Sequence, residues 1–339
     1  MPEPKDTASL TGADNLQRPP YDPALRTTRK PLIITGTLVS RVDDTPHALR
    51  SHDEGSSVDR KGSEVKHPKE HPEKLAIEPN PNLAYERWDE YWRKVHGPKF
   101  AYEEPGSTSH MVLRYDQLHR LPSGPSTYFR PPYRAMIDTA GKLVSDPAAH
   151  VPKFARPKWD GLAYIAYASE ADMEATLQDQ DQYAKRIIAD EQVAFRMVTR
   201  EICEEHILIP SAQHRDAFSL VKIHKRRQDW SRDQFQQHML HKHAELLMSK
   251  AATHTYVRRY AQLLNIGSTQ KDPEGSVIDS MSILSFASVN DVEDYLLTSD
   301  YATIEADEAA ASGEVTEFWT AVNYGLINRL LPELATERL

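Results

Sequence analysis

Apolar residues recur along the chain with two periods, and the switches between them mark out its elements. Residues 31–41, PLIITGTLVSR, are rich in β-branched side chains and predict a strand. Over 83–96 the period lengthens to four: Trp88, Trp92 and His96 share one helical face, Tyr91 and Val95 flank it, and Gly97-Pro98 stops the helix. Strands are predicted at 109–121 and 159–169. Ser169, with Asp172 three residues on, opens a helix, 182–198 reads as helical, and 199–210 closes as a strand. The second half runs through the same order. It has a strand at 217–227, a helix at 231–250 capped by Ser231, strands at 254–266 and 277–288, a helix from Ser288 and a last strand at 317–327.

The two halves also match residue by residue. With His96 laid on His243, Trp88 falls on Phe235, Tyr91 on His238 and Trp92 on Met239, without a gap. Downstream, Arg114-Tyr115-Asp116-Gln117-Leu118 falls on Arg259-Tyr260-Ala261-Gln262-Leu263. WDGLAYIAYASEADME (159–174) falls on IDSMSILSFASVNDVE (278–293), and IIADE (187–191) on IEADE (304–308). Matches in one consistent order indicate an internal repeat. Each copy reads β-α-β-β-α-β, the ferredoxin-like arrangement, whose sheet carries helices on one face only. The expected fold is therefore α+β: two tandem ferredoxin-like repeats packed sheet to sheet as a pseudo-dimeric α/β barrel. The expected division is a tail over 1–30, a first domain over 31–210 with insertions at about 42–80 and 122–157, and a second domain over 211–339.

Composition narrows the function classes. A formal charge of −9 argues against a nucleic-acid binder. A single cysteine, Cys203, permits no internal disulfide and fits a reducing cytoplasm. No apolar run of about 18 residues and no signal-like N-terminus is present, so neither a membrane span nor export is expected. Nucleotide loops, zinc-protease helices and serine-hydrolase elbows have no counterpart here.

An aromatic-x-x-x-aromatic-x-x-x-His helix, then a strand with Tyr-x-Gln, then Asp with a further strand, then Ala-Asp-Glu, resembles the EthD-domain family of the dimeric α/β-barrel superfamily. The residues are Trp88, Trp92, His96-Gly97-Pro98, Tyr115, Gln117, Asp160 and Ala189-Asp190-Glu191. The second copy has Phe235, Met239, His243-Ala244, Tyr260, Gln262, Asp279 and Ala306-Asp307-Glu308. The resemblance implies cyclases, dehydratases, decarboxylases or monooxygenases acting on small aromatic or polyketide-like molecules, haem binders, or proteins without activity; fold alone does not choose among them.

Read from the residues, His96 and His243 are the candidates for general acid/base work, since a neutral imidazole moves protons near working pH. The alternative is that each caps its helix end. Asp160 and Asp279, at matching strand starts, are candidates to orient them or to bond loop amides. Arg114 and Arg259 are candidates for an oxyanion. Trp92, Tyr115, Tyr128, Tyr133 and His238, with Arg114, make up the expected substrate-facing set. Tyr128, Phe129, Arg130 and Tyr133 are expected beside a first-copy pocket. His238, His241 and His243 invite a metal. On an α-helix His243 lies about 200° from His241, so the three do not converge. His67 and His71 are each followed by proline, which breaks helical spacing, and no haem-attachment motif occurs. Asp190-Glu191 and Asp307-Glu308 read as helix-end groups. Cys203 lies near glutamates and makes a poor nucleophile.

The expectation is a cofactor-independent lyase or cyclase that needs no metal and acts on a small hydrophobic, aromatic molecule. A binding or assembly module, and a haem- or oxygen-dependent oxidation, are the alternatives. Strand edges leave a homodimer open.

Overall fold

The computed structural model describes residues 31–41, 85–102, 105–131, 157–211, 217–267, 278–312 and 316–330. The expected tail, the 42–80 insertion with His67 and His71, and Tyr133 lie outside the described residues.

Eight strands form a closed antiparallel barrel: β1 Ile33–Arg41, β2 Arg114–Arg120, β3 Gly161–Tyr167, β4 Phe195–Ile209, β5 Phe218–His224, β6 Arg259–Asn265, β7 Ser280–Phe286 and β8 Glu317–Asn328. Their order around the barrel is β1-β3-β2-β8-β5-β7-β6-β4. The first four strands thus lie as β4-β1-β3-β2 and the second four, in the same relative order, as β8-β5-β7-β6. The halves join along β2–β8 and β4–β6. Register repeats as well: Ile33 faces Tyr167 on β3, as Phe218 faces Phe286 on β7. Closure uses both edges of every described strand, so the edge pairing between chains that the sequence left open has no edge to use.

The two faces of each strand have different jobs. Ile34, Leu38, Leu118, Leu162, Cys203, Val221, Leu263, Met281, Ile283 and Trp319 fill one core, inside the barrel. The opposite faces carry separate layers under the helices of each half, one around Trp88, Trp92, Tyr115, Tyr167 and Tyr183 and one around Leu247, Tyr260, Phe286, Tyr295 and Tyr301. Strands buried on both faces lose their polar alternation, which is why LAYIAYA reads as a nearly continuous apolar run.

In the first half the helices are α1 Tyr85–Tyr91, α2 Glu170–Gln178 and α3 Ala189–Ala194. In the second they are α4 Arg232–Gln237, α5 Ala244–Met248, α6 Ala251–Tyr256, α7 Val289–Leu296 and α8 Ser299–Ser312. Ser169 and Ser288 cap α2 and α7 by accepting the N–H of Asp172 and Asp291, as the sequence predicts. The predicted helices differ in one respect. Trp92–His96, Gln180–Ile188 and His238–His243 are π-helical. The predicted strand at 254–266 opens as α6, and β4 begins at Phe195 inside the stretch read as helix.

Trp92 packs against β3 at Gly161, where a Cβ would stand 2.3 Å from its ring. Only glycine permits that approach.

Candidate active site

The π-turns decide where the histidines point. Along an α-helix, residues five apart lie about 140° from each other; a π-turn, bonded i to i+5, brings them onto one face. Tyr91 and His96 are five apart, and both donate to Asp190, the first from Oη at 2.5 Å and the second from Nδ1 at 2.7 Å. His238 and His243 are five apart, and both meet Asp307 Oδ2, at 3.1 and 2.9 Å. The repeat alignment lays Tyr91 on His238, His96 on His243 and Asp190 on Asp307, so one constellation occurs twice. An α-helical projection does not bring His238 and His243 together; they converge on one carboxylate, while His241 stays exposed.

The π-turn carbonyls are tied down identically. Trp92 O accepts from the Gly97 N–H and from Gln117 Nε2 at 3.1 Å, and Met239 O from the Ala244 N–H and Gln262 Nε2 at 2.8 Å. Each glutamine also donates to a buried phenol on its own strand, Tyr115 Oη at 2.8 Å or Tyr260 Oη at 2.5 Å.

Lys99 adds a third donor to Asp190 at 2.6 Å. Burial alone would raise the Asp190 pKa. Hydrogen bonds from His96, Lys99 and Tyr91 outweigh burial and hold it at about 2. An ionised Asp190 on Nδ1 fixes the imidazole tautomer with Nε2 free to take a proton. In the second half, burial disfavours a charged His243 ring, but Asp307 and Glu308 outweigh it and raise the pKa. His243 Nε2 lies 3.4 Å from Glu308 Oε1, and Glu308 in turn pairs with the buried Lys222.

Beneath His96 the first half assembles Tyr115, Tyr167 and Tyr183, with the Glu191–Arg200 pair at 2.9 Å and Arg200 over the Tyr183 ring at 5.5 Å. Burial raises the pKa of all three phenols, Tyr167 to about 12. Glu191 and Glu308 are repeat equivalents, and each takes its cation from a neighbouring strand. On the β1–β4 ladder Thr37 faces Arg200, and on the β5–β8 ladder Lys222 faces Phe318. The cation has therefore changed strands between the halves. Lys222, Glu308, Tyr301 and His224 form a buried polar cluster in the second half.

The predicted site residues are thus dispersed. Trp92 is buried and stacks on His119 at 4.1 Å. Tyr115 belongs to the layer below His96. Arg114 does not: it points into the barrel, where it and Arg259 meet Glu205 at 2.9 and 2.7 Å. Asp160 corrects the expectation that it orients His96. It accepts the Arg41 N–H at 3.0 Å and pairs with Arg120, just as Asp279 accepts the Arg226 N–H at 2.9 Å; Asp190 holds His96 instead. Tyr128 and Phe129, 39% and 49% exposed, do not line the first half. Their segment crosses to the second: Ser126 bridges Trp319, and Arg130 bonds Glu305 at 3.1 Å over the Phe318 ring. Cys203 is buried, and burial pushes its thiol pKa up.

Sequence reasoning missed Asp190, Tyr167, Tyr183, Glu191 and Arg200 as site residues. The doubled Ala-Asp-Glu was the available signal, read as helix termini. Among the described residues no cluster of three or more His, Cys, Asp or Glu is arranged to hold a metal. No helix among them is long and apolar enough to cross a membrane.

The EthD domain family model matches residues 80–195 and 227–311. No curated protein matches in sequence. Similar solved structures include a candidate monooxygenase from Lactobacillus acidophilus NCFM, with 11% identity over 89% of this chain and 97% of that one and a TM-score of 0.36. An anthrone oxidase-like protein shares 11% identity over 91% of this chain and 98% of its own, with a TM-score of 0.46. A chlorite dismutase variant from Candidatus Nitrospira defluvii shares 9% over 87% and 92%, with a TM-score of 0.34.

Proposed function

From the premise that this chain belongs to the EthD-domain family, we propose that it is a cofactor-independent lyase or cyclase in which His96 moves a proton on a small aromatic substrate. Its two halves are read as tandem ferredoxin-like domains, 31–210 and 211–339, of which the first does the chemistry. A cytoplasmic setting is part of the proposal. So is a homodimer, which would form through helical surfaces because closure occupies the described strand edges.

The observation that carries this reading is the Asp190 carboxylate, buried and fed by Tyr91, His96 and Lys99, with its pKa at about 2. A permanent anion on Nδ1 makes Nε2 the basic nitrogen and stabilises the imidazolium that forms when it accepts a proton. In the proposed step, Nε2 takes the proton from a carbon next to a carbonyl, and the C–H electron pair moves onto the carbonyl oxygen. The imidazolium then returns the proton to a departing hydroxyl or to carbon. Phenol donors and Arg200 suit the oxyanion. The step balances without an oxidant.

The second half favours a structural role for its own histidine: both histidines are buried, but His243 Nε2 faces Glu308 and the Lys222 ion pair.

Deuterium exchange from D2O into the methyl group of 2-acetonaphthone and 1-hydroxy-2-acetonaphthone, followed by mass spectrometry, tests the proposal. The protein is expected to catalyse exchange, His96→Gln to lose about 100-fold or more, and Asp190→Asn to lose about 10-fold or more. His243→Gln is expected to retain exchange per folded molecule. Absent exchange, or exchange that survives His96→Gln, overturns it.

A further inference from the structure

His119 is buried behind the π-turn that carries His96, and both of its ring nitrogens face acceptors. Nδ1 lies 2.5 Å from Asp89 Oδ1, and Nε2 lies 2.9 Å from Gln117 Oε1. That amide cannot present a donor instead, because Gln117 Nε2 already donates twice, to Trp92 O at 3.1 Å and to Tyr115 Oη at 2.8 Å. The arrangement therefore needs a proton on each imidazole nitrogen. The imidazolium so formed stacks on Trp92, ring centroids 4.1 Å apart. Gln117 Nε2 stands close against the turn: a Cβ on Gly97 would be 2.9 Å from it.

Removing one proton creates a conflict. An ionised Asp89 keeps the proton on Nδ1, because a lone pair facing a carboxylate costs more than one facing an amide oxygen. Nε2 then points its lone pair at Gln117 Oε1. Turning the amide over brings its Nε2 hydrogens to the histidine and lets Tyr115 Oη donate to Oε1. The bond given up is the one to Trp92 O. The second half contains no such conflict. Leu264 stands in the place of His119 and Gln236 in that of Asp89. Gln262 Oε1 has no hydrogen-bond partner among the described residues, so nothing turns that amide away from Met239 O.

We infer that His119 is a positioning residue that works as a proton-operated latch: protonated, it holds Gln117 on Trp92 O and ties down the π-turn that presents His96; neutral, it draws the amide to itself and releases the turn. The consequence for His96 rests on the proton-transfer reading, while the latch itself does not. The charged and titratable groups that face His119 are Asp89 on α1, Arg93 in the π-turn and Tyr324 on β8. Burial, helped by Arg93, outweighs Asp89 and sets the transition below pH 6.5.

NMR on the full chain, with glutamine and histidine side chains labelled with 15N, reads the latch without any substrate. On the acid side of the transition the Gln117 amide protons are expected to show NOEs to the Gly97 N–H, which shares Trp92 O. On the neutral side these give way to NOEs to the His119 ring, with one midpoint for amide and imidazole. Gln262 is the internal control and stays unchanged. His119→Leu keeps the Gly97 contact at every pH. If that variant does not fold, His119→Gln takes its place, since its own amide does not titrate and the Gln117 contacts then stay constant with pH. Gln117 contacts that stay constant while His119 titrates overturn the inference. So does a His119 whose charge is unchanged from about pH 4.5 to about pH 7.5, or a switch that persists in the variant. In the deuterium-exchange assay at about pH 7.5, His119→Leu is expected to exceed the wild type about twofold or more per folded molecule. Equal, measurable exchange by the two proteins overturns the positioning role. A switch without any exchange sinks the proton-transfer reading alone, and exchange without a switch sinks this inference alone.

Discussion

At the scale of single residues, the chain places titratable groups where burial and partners push them in opposite directions. His224 is fully buried, with Nε2 2.9 Å from Ser282 Oγ. Burial drives its pKa from 6.5 down to about 3. Glu308 pulls the other way and loses, while Lys222 and His243 add to the fall. Between those values the unfolded chain binds a proton that the folded chain refuses, so stability falls as the pH drops from 6.5 towards 3. His243 has the opposite sign. Its raised pKa contributes stability that is present below 6.5 and lost as the pH rises through the folded value. In urea melts between pH 6.5 and about 5.5, above most of the carboxylate titration, His224→Met is expected to remove a slope of up to about 1.4 kcal/mol per pH unit. An unchanged slope would refute the assignment. Little of this was legible beforehand. His96 and His243 stand out in the sequence as a doubled pair, because a polar group on an apolar stripe is conspicuous. Their carboxylate was sought in Asp160, at a strand start, whereas Asp190 stands in the first turn of α3 and Asp307 in the body of α8 rather than at its end, and only the fold reveals how far each reaches.

At the scale of elements, the sequence located most strands and helices but not their pitch. Hydrophobic spacing of four is satisfied equally by an α-turn and by a local π-turn, so the stripe Trp88-Trp92-His96 carries no mark of the difference. What distinguishes them is a distant partner. The π-turn carbonyls of Trp92 and Met239 are each bonded by a strand glutamine, and the doubled Tyr-x-Gln was on view as a motif without an evident purpose. Gln117 also receives a hydrogen bond from His119 Nε2 at 2.9 Å, so helix, phenol and histidine are pinned by one side chain. Gln117→Leu leaves buried partners unmet and is expected to cost about 1–3 kcal/mol. Because it frees the turn that presents His96, it should also lower exchange per folded molecule. Gln262→Leu, acting on the second half, should cost similar stability without that loss. Equal exchange by the two folded variants would argue against a first-half site.

At the scale of the whole molecule, matched motifs in one order point to a repeat in the sequence, and the closed barrel has its first four and last four strands in the same relative order. The traffic between halves was not readable. Side chains that look equivalent in sequence meet a single partner in space: Arg114 on β2 and Arg259 on β6 both bond Glu205 on β4, and Tyr164 donates to the same carboxylate. The repeat partner of Glu205 on β8 is Asn323, which faces Leu118 as Glu205 faces Leu263. One half therefore supplies an anion shared by cations from both, while Arg114 has a second carboxylate in Asp116 of its own strand at 3.2 Å. Removing one member of a buried ionic group leaves the rest uncompensated, at a cost of roughly 3–5 kcal/mol, whereas replacing all members with apolar groups is often neutral or better. Glu205→Leu should thus destabilise the whole chain by about that amount in a single urea transition. Adding Arg114→Met and Arg259→Met to it should recover most of the loss. If the triple variant is as unstable as the single one, the arginines are not held in place by Glu205 and the barrel is closed by its apolar core alone.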